Sequence, residues 1–279
     1  MKEATEKAQR GIQSVEVAGR ILQALAVRRE PVALSELAAA AALSTAQAHT
    51  YLVSLTKLGL VKRDALTGYY EPGPLSLRLG LMHVEQQPAY RVAAPHAVRL
   101  AERIGFSVAV CVAGAQGPMI VRYERGGYPL HVNLHIGTVM SLQTTSTGRV
   151  FSAFLRNDQL DAMMERQGIA RPRVGADESS SSAIAEWQAG LEDVRRRGIA
   201  RSVDVPSPGI SSMSAPVLDE HGGLLLALTA IGPTGAMNVS WDGTVARELR
   251  EATRRVAQEL PGDESAHGSA SQGAVTHAV

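Results

Sequence analysis

The chain has 279 residues, of which 45% are hydrophobic and 20% charged, and its formal net charge at pH 7 is +1. This length can bury a substantial core, and we expect two domains. The single cysteine, Cys111, excludes an intramolecular disulfide framework and fits a reducing compartment. No apolar run reaches the roughly 18 residues of a membrane span, and the charged N-terminus lacks a signal-peptide core. We therefore expect a cytoplasmic protein that makes no membrane contact.

The first predicted elements form a helix-turn-helix. Residues 14–26 carry an apolar stripe that predicts a helix, residues 34–41 predict a short second helix, and residues 42–44 form the turn. Ser44 begins a longer helix, in which Gln47 completes a capping box and after which Gly59 is the stop. A motif of this kind is typical of domains that place the last helix in a DNA major groove.

A basic hairpin follows at once. Residues 60–63 and 69–71 predict two strands, and Gly68 supplies the positive φ that such a turn needs. This hairpin is the wing of a winged helix, and Lys62 and Arg63 would lie near phosphates. Winged helices also serve as protein-interaction modules that never touch nucleic acid, so this alternative stays open. Residues 1–80 hold ten Lys/Arg against seven Asp/Glu, and a domain with so little charge needs a dimer for firm DNA binding.

The remaining two thirds of the chain mix helices and strands. Residues 75–90 predict a linker helix that Pro88 can interrupt. A helix from Pro95 to Ile104, helices at 148–155, 158–166 and 184–197, and a final helix from 245 alternate with strands at 106–112, 119–124, 130–134, 139–142, 210–218 and 224–231. We expect an α+β fold: an N-terminal winged helix-turn-helix over residues 11–74, then a C-terminal α/β domain with an antiparallel sheet over 91–260. Residues 261–279 are polar and patternless, so we expect a disordered tail.

Several motifs resemble the IclR family of bacterial transcription regulators. In the first part of the chain these are Gly11-Ile-Gln-Ser-Val-Glu16, Leu34-Ser-Glu-Leu-Ala38, Ala48-His49, Leu55-x-x-x-Gly59 and Leu77-x-Leu-Gly80. In the second part they are Leu142-x-x-Thr-Ser-x-Gly-Arg149, Arg195-Arg-Arg-Gly-Ile199 and Ala215-Pro-Val-Leu-Asp219. The resemblance covers about residues 11–260. It implies a DNA-binding domain, a linker helix, and an effector-binding and oligomerisation domain, in a homodimer or a dimer of dimers.

The start of the longer helix provides the candidate base-reading residues for a double-stranded DNA operator. Thr45, Gln47, His49 and Thr50 lie mostly off its buried face; Gln47 can make a paired contact with adenine, and Thr50 can meet a thymine methyl group. Arginine is common in the family at the place of Thr50, so the operator cannot be transferred from relatives. The candidates for phosphate contacts, each of which can equally be ordinary solvated surface, are Lys57, Lys62, Arg63, Arg28 and Arg29.

Three stretches of the second domain converge on a candidate pocket: residues 140–147, residues 202–212 and residues 229–231. Hydroxyl groups among aliphatic side chains, beside the free amides of a helix start, suit a small organic acid. The alternative is that residues 144–147 only cap the helix. Where some relatives have an acidic residue or cysteine, this chain has Ser202 and Ser212, so its effector is expected to differ. The resemblance places the family's ligand contacts at Met140, Leu142, Ser146, Thr147, Ser202, Ile210, Ser212, Thr229 and Ile231.

No motif pairs a nucleophile with a base, and neither a Gly-x-Ser-x-Gly nor a phosphate-binding Gly-rich loop is present. His131 and His135 would lie on one face of a strand but far apart, which argues against a metal site. We expect neither catalysis nor a cofactor; an enzyme would be marked by a catalytic dyad inside the pocket. The expected function is a ligand-responsive transcription regulator, such as a repressor, of catabolic genes. The rival is a winged-helix protein-interaction module with a purely dimerising second domain.

Overall fold

The computed structural model describes residues 11–28, 30–130, 132–169 and 178–261. The chain divides into two compact units, Met1–Gln86 and Gln87–Val279. Arg29, His131 and almost all of the tail predicted to be disordered lie outside the described residues.

The first unit is a three-helix core with a hairpin. Its core forms where α1, α2 and α3 meet, and Ile21, Leu37, Ala48 and Leu52 are completely buried there. The apolar spacing that predicted these helices is therefore the spacing of their buried faces. The elements are α1 (Gln13–Ala26), α2 (Leu34–Ala40), α3 (Thr45–Lys57), β1 (Val61–Arg63), β2 (Tyr70–Pro72) and α4 (Pro74–Glu85).

The two ends of α3 follow the sequence prediction. Ser44 is the N-cap, and its hydroxyl accepts a hydrogen bond from Gln47 N at 3.3 Å while the Gln47 side chain accepts one from Ser44 N at 3.1 Å. At the other end Gly59 has φ +75°, the left-handed conformation that ends a helix. The predicted helix-turn-helix is thus confirmed, with both boundaries correct.

The wing is also present. Strands β1 and β2 pair in antiparallel fashion, with Lys62 opposite Glu71 and Arg63 opposite Tyr70. Tyr70 forms a second bridge on its other side, exchanging two backbone hydrogen bonds of 2.9 Å with Val32. Because Tyr70 is buried, the hairpin is anchored to the helical core at its base.

The predicted linker helix differs from the observed one at its end. Helix α4 stops at Glu85, Gln86 is its C-cap, and Pro88 opens the next helix at the first helical position. Proline has no N–H to donate and disfavours helical backbone in the residue before it, so Pro88 ends one helix and begins another. Residues 88–90 belong to that following helix.

The second unit is a sheet covered by helices on both faces, as the predicted α+β fold class required. The strand order is β4-β3-β7-β6-β5, with every neighbouring pair antiparallel. Helices α5 and α9 cover one face, and α6 packs on the other with α8 against it. Its elements are α5 (Pro88–Ile104), β3 (Ser107–Gly114), β4 (Gly117–Glu124), α6 (Ser146–Phe154), α7 (Asn157–Arg166), α8 (Glu178–Arg197), β5 (Ala200–Val203), β6 (Ile210–Leu218), β7 (Leu224–Pro233) and α9 (Thr244–Gln258).

Three predictions for this unit are wrong. Pro95 does not start a helix; it lies inside α5. The segments 130–134 and 139–142 are not strands: in the described part of these segments only Val139 makes an isolated bridge, to Met119. Strand β5 was missed because its four residues are too few to show an alternating pattern.

The first turn of α6 lies unusually close to the segment before it. A Cβ atom added to Gly148 would lie 2.0 Å from the carbonyl oxygen of Ser141 and 2.5 Å from Cα of Leu142. Both neighbours are backbone atoms, so they can give way only if the segment itself moves. Glycine at this position is therefore what lets the segment cross the helix start.

We predict that Gly148→Ala lowers the free energy of unfolding by about 1–3 kcal/mol, the usual cost of forcing extra atoms into a packed site. The matched control is Gly190→Ala in α8, where an added Cβ meets nothing within 4 Å. This change should stabilise the helix by about 0.5–1 kcal/mol. Both tryptophans, Trp187 and Trp241, lie in the second unit, so denaturation followed by tryptophan fluorescence reports on this unit. Equal stability of the two variants would contradict the prediction.

Candidate functional site

The side chains exposed in the first two turns of α3 include no Lys, Arg, Asp or Glu. Thr45, Gln47, His49 and Thr50 are all exposed, whereas Ala48 between them is completely buried. The Thr50 hydroxyl donates to the carbonyl oxygen of Ala46 at 3.1 Å, which leaves its methyl group for apolar contact. The structure thus exposes all four of the predicted base-reading residues.

The side chain of Gln47 also caps α3, which limits the hydrogen bonds that it can make with a DNA base. Its side-chain oxygen accepts hydrogen bonds from the Ser44 amide at 3.1 Å and the Ser44 hydroxyl at 3.0 Å. A paired contact with adenine needs this oxygen as well as the side-chain NH₂ group. While the cap is closed, Gln47 can offer the NH₂ group alone.

The predicted phosphate-binding residues of the wing have partners within the wing. Lys62 Nζ lies 3.0 Å from a carboxylate oxygen of Glu71. Arg63 Nε donates to the carbonyl oxygen of Gly68 at 3.0 Å, and its guanidinium carbon lies 5.7 Å from the centre of the Tyr70 ring. Lys57, at the last turn of α3, is exposed. The spacing of residues in the sequence could not show that the side chains of Lys62 and Arg63 already have partners within the wing.

Asp64 organises the turn at the tip of the wing. One of its carboxylate oxygens accepts from Leu66 N at 3.0 Å, Thr67 N at 2.7 Å and the Thr67 hydroxyl at 2.9 Å. The hydrogen bonds from Thr67 and Leu66 lower the pKa of this carboxyl group. Because the folded pKa is depressed, this stabilisation is present above the ordinary carboxyl pKa and is lost as the pH falls through the folded value.

A row of buried hydroxyl groups joins the first turn of α6 to the sheet; we call it the hydroxyl seam. The Ser146 and Ser212 hydroxyls lie 2.7 Å apart, and those of Thr147 and Thr229 lie 2.8 Å apart. Thr229 also donates to the Ser214 hydroxyl at 2.9 Å. These partners come from elements far apart in the chain, and the structure brings together most of the predicted polar ligand contacts.

Ser202 continues the seam along β5. It lies opposite Ser212, which in turn lies opposite Ile231, so the three form a row across neighbouring strands. The Ser202 hydroxyl lies 3.1 Å from the carbonyl oxygen of Thr144 and 2.5 Å from that of Val205, and it can donate to one of them at a time. The capping alternative also holds in part, because the Thr145 hydroxyl accepts from Gly148 N at 2.9 Å. Thr145 is therefore the cap, which leaves the Ser146 and Thr147 side chains to face the sheet.

Cys111 lies at the inner end of the seam. Burial raises the pKa of its thiol to about 12, although hydrogen bonds with Thr229 and Thr147 act in the opposite direction. The thiol is neutral at physiological pH, as predicted for a buried strand residue rather than a reactive one. Every hydrogen bond described for the seam residues runs to a hydroxyl, a thiol or the main chain.

Gln167 is a residue of this region that the sequence analysis missed. Its side-chain oxygen accepts from Leu142 N at 3.0 Å, and its NH₂ group donates to the carbonyl oxygens of Gln116 at 2.9 Å and Met140 at 3.0 Å. It thereby holds the segment that carries two predicted ligand contacts. No pattern marks it, because it lies at the end of α7 and 25 residues from Leu142.

The apolar members of the predicted site differ in accessibility, since two are in the core and two are half-buried. Leu142 and Ile231 are each 2% exposed and belong to the core around Phe151. Ile210 and Ser212 are half-buried, at the outer end of the seam. Met140 lines a cavity of about 400 Å³ whose walls are Gln116, Val139, Met140, Ser141, Gln143, Arg166, Gln167 and Ile169.

The described residues contain neither a candidate metal site nor a membrane-spanning helix. Among the described residues no group of three or more His, Cys, Asp or Glu side chains could hold a metal ion. His135 Nδ1 lies 2.6 Å from the Thr138 hydroxyl, and His131, its predicted companion, is outside the described residues. Within that same part of the chain, no helix is both long and apolar enough to span a bilayer.

Comparison with known proteins matches both units. Residues 14–65 match the IclR helix-turn-helix domain, and residues 82–258 match the bacterial transcriptional regulator IclR C-terminal domain. The glycerol operon regulatory protein of Streptomyces coelicolor is 29% identical over 255 residues, which cover 91% of this chain and 97% of that protein. The transcriptional repressor IclR of Escherichia coli is 22% identical over 82% of this chain and 83% of its own length.

The fold is also that of solved structures. An IclR homologue from Microbacterium hydrocarbonoxydans, crystallised in complex with 4-hydroxybenzoate, superimposes with a TM-score of 0.71 over 88% of this chain and 98% of its own length. At 19% identity this likeness concerns the fold alone. With both domains matched in the same order, the chain belongs to the IclR family of DNA-binding transcriptional regulators.

Proposed function

We propose that the protein is a ligand-responsive regulator that binds a DNA operator through α3 and a small organic effector at the hydroxyl seam. The observation that carries the proposal is the pairing of an exposed, uncharged α3 face with a buried cluster of hydroxyls in a second unit. The direction we propose is repression, which agrees with the name of the Escherichia coli relative, a transcriptional repressor. The genes that we propose it controls are catabolic genes.

The DNA part of the proposal depends on neutral contacts. Neither Lys nor Arg is present among the four proposed base-reading residues, which are Thr45, Gln47, His49 and Thr50. Base edges are therefore read by hydrogen bonds and a methyl contact. Gln47 acts as an NH₂ donor while its oxygen keeps the helix capped. Phosphate contacts come from Lys57 and from whichever wing cations exchange their present partners for DNA.

We predict that Gln47→Glu abolishes base reading but preserves α3, since glutamate at this position also completes a capping box. The new negative charge weakens binding to every fragment, so the base contact is measured by the additional loss on cognate fragments relative to random DNA, which should be about 1–3 kcal/mol. Cognate fragments come from genomic pull-down of the tagged protein, and affinities from electrophoretic mobility shifts. Gln47→Ala serves as control, because it removes both the cap and the contact. If Gln47→Glu binds cognate DNA as tightly as the parent, Gln47 does not face a base.

Genomic pull-down also tests the rival, a protein-interaction module. A regulator enriches discrete genomic fragments, whereas an interaction module with a dimerising second domain enriches none.

Arg63→Ala should weaken binding to all fragments alike and reduce the salt dependence, as expected for a phosphate contact. A loss confined to one sequence would contradict that role for Arg63.

The protein is proposed to act as a homodimer or a dimer of dimers on a roughly palindromic operator. Support comes from α4, which buries none of its residues within its own unit and exposes Leu77 by 65% and Leu81 by 55%. These two leucines are four residues apart and so lie on one face of the helix. Ile12, the N-cap of α1, and Val15 within α1 are similarly exposed, at 69% and 64%.

We predict that the double substitution Leu77→Glu and Leu81→Glu converts the protein to a monomer, because it places charges on a face that a second copy would cover. Light scattering after size-exclusion chromatography measures the mass. The control is Leu58→Glu, since Leu58 is 61% exposed in the same unit but lies at the end of α3. An unchanged mass of the double variant would exclude α4 as the contact, and footprinting of one isolated half-site by a monomer would exclude the dimer itself.

The effector is proposed to enter at the half-buried end of the seam, between Ser146 and Ser212. A carboxylate there would meet the amides of Ser146 and Thr147, which open the helix and have no partner within it. It would replace the Ser146–Ser212 hydrogen bond, while Ile210 and Met140 contact the carbon frame. A helix end contributes about 0.3–1 kcal/mol to anion binding, so the hydroxyls must supply much of the specificity.

A neutral polyol is a second candidate, favoured by the partners of the seam. Each of the hydrogen bonds described there ends on a hydroxyl, the Cys111 thiol or the main chain, so none offers a countercharge. The Streptomyces relative is named as a glycerol operon regulator, and the solved relative holds a carboxylate, 4-hydroxybenzoate. The two classes differ in charge, so a ligand panel separates them.

We predict that Ser212→Ala weakens effector binding by about 0.5–1.5 kcal/mol, the net value of one hydrogen bond. The matched control is Ser211→Ala: Ser211 is the next residue of β6, its hydroxyl lies 3.0 Å from that of Thr234, and successive strand residues point to opposite faces. Calorimetric titration with small carboxylates and with polyols of similar size measures both variants. Equal loss in both would place the effector elsewhere.

A further inference from the structure

Four arginine side chains of the second unit meet around Trp241. The guanidinium carbons of Arg197 and Arg201 lie 4.6 Å and 4.3 Å from the centre of the Trp241 ring. Arg250 donates to the carbonyl oxygens of Arg197 and Trp241 at 3.1 Å and 2.9 Å, and Arg149 donates to that of Arg201 at 3.0 Å. These four arginines, which we call the arginine cluster, come from α6, α8, β5 and α9, so the fold assembles them.

Three members of the cluster have no carboxylate partner among the described residues. Arg197 Nε lies 2.7 Å from a carboxylate oxygen of Asp193, but the ion pairs of the described residues include none with Arg149, Arg201 or Arg250. A guanidinium has five N–H donors, and the described hydrogen bonds use one in Arg149, one in Arg201 and two in Arg250. Arg149 is exposed and the other two are half-buried. The cluster therefore offers charge and further donors to an anion from solvent.

The arginine cluster is a positive surface in a part of the chain whose net charge is not positive. Residues 81–279 hold 18 Lys/Arg, all of them arginine, against 20 Asp/Glu. The planar guanidinium matches the geometry of phosphate oxygens and can bind two of them in parallel. Stacking on Trp241 holds two of the guanidiniums in place, so little conformational freedom is lost when they bind an anion.

The arrangement favours an extended anion over a small one. The cavity of about 400 Å³ has no member of the cluster among its walls, and the four arginines lie on four different elements. Duplex DNA carries one negative charge per about 1.7 Å of its axis, so several phosphates can meet several arginines at once. The first unit has few cations to offer to those phosphates, since Lys62 is paired with Glu71.

We propose that the arginine cluster binds phosphates of the operator duplex outside the segment read by α3. The second unit then supplies backbone affinity that the first unit lacks. Phosphate contacts carry no sequence information, so the cluster changes how firmly DNA is held and not which sequence is chosen. The inference rests on the proposed reading of DNA by α3.

The first test uses duplexes of different length that share one operator. The full-length protein selects the operator from a random-sequence pool, and the operator is then embedded in flanks of increasing length. The parent should bind longer duplexes more tightly. The variant with Arg149→Gln and Arg201→Gln should bind the shortest duplex as the parent does and lose the gain from the flanks. On the longest duplex its slope of log affinity against log salt should be shallower by about 2, one unit for each lost phosphate contact.

Two further variants separate a phosphate contact from other effects. Arg99→Gln with Arg125→Gln removes two charges from exposed residues on α5 and after β4, neither of which forms an ion pair with a described residue. The flank gain and salt slope of this control should equal those of the parent. Arg149→Lys with Arg201→Lys keeps the charge but not the guanidinium fork, and it should retain most of the salt slope. Thermal melting establishes that each variant is folded, and light scattering measures its mass.

The outcomes separate this inference from the one beneath it. If the parent selects no sequence, the reading of DNA by α3 fails and the role of the cluster fails with it. If the parent gains nothing from longer flanks, if the control loses as much as the glutamine variant, or if the lysine variant loses the same salt slope, only the cluster contact is overturned. A changed mass of the glutamine variant would assign the cluster to a contact between copies and overturn it too.

A titration with inorganic phosphate at constant ionic strength distinguishes DNA from a small anion. A phosphate-dependent rise in the melting temperature of the parent, absent from the glutamine variant and accompanied by no effect of flank length, would assign the cluster to a small anion and overturn the DNA contact. A flank gain that is lost in the glutamine variant and kept in the control supports it.

Discussion

The packing of the first turn of α6 against the sheet is the contact on which the candidate effector site depends. Gly148 lets the preceding segment cross the helix start at a distance that any side chain would forbid. With the backbone so close, Ser146 and Thr147 reach the hydroxyls of Ser212 and Thr229 across the interface. Buried hydroxyls without partners would be costly, so in the absence of a ligand they satisfy one another. On the proposed function, an effector would take over these hydrogen bonds, and the same residues would be structural without the effector and selective with it.

Much of the first unit could be predicted from sequence because its signals are local. The capping box of Ser44 and Gln47 lies within four residues, and Gly59 and Gly68 mark positions that need a positive φ. The apolar spacing of α3 then decides which side chains are exposed. Local signals cannot show that two interactions need the same atom. The side-chain oxygen of Gln47 accepts a hydrogen bond in the helix cap, so only its NH₂ group is left for the expected contact with adenine.

The second unit was harder to predict because its site is assembled from distant segments. The motif at residues 142–149 drew attention to the hydroxyls at the start of α6, but their partners in β6 and β7 lie 66 and 82 residues further on. Strand β5 was too short to show a pattern. The segment 139–142 resembled a strand, and its Met140 amide does donate to Pro118 of β4, but its other described main-chain contacts include two to the side chain of Gln167. The spacing of apolar residues gives no sign of that side-chain contact. The fold class followed from the alternation of elements; the order of the strands did not.

Charge decides how the DNA-binding surface can work. The start of α3 has no cation, Lys62 is paired with Glu71, and Arg63 is directed to Gly68. Nonspecific affinity grows with the number of phosphates neutralised, so one copy of this domain gains little from the duplex backbone. On the proposed function, specificity comes from hydrogen bonds, a methyl group and shape, and affinity comes from joining two copies on one operator. A regulator of that kind would depend steeply on the arrangement of its two DNA-binding units, because neither would hold the operator firmly alone. A modest change in that arrangement, produced by the proposed effector, would then be enough to release the DNA.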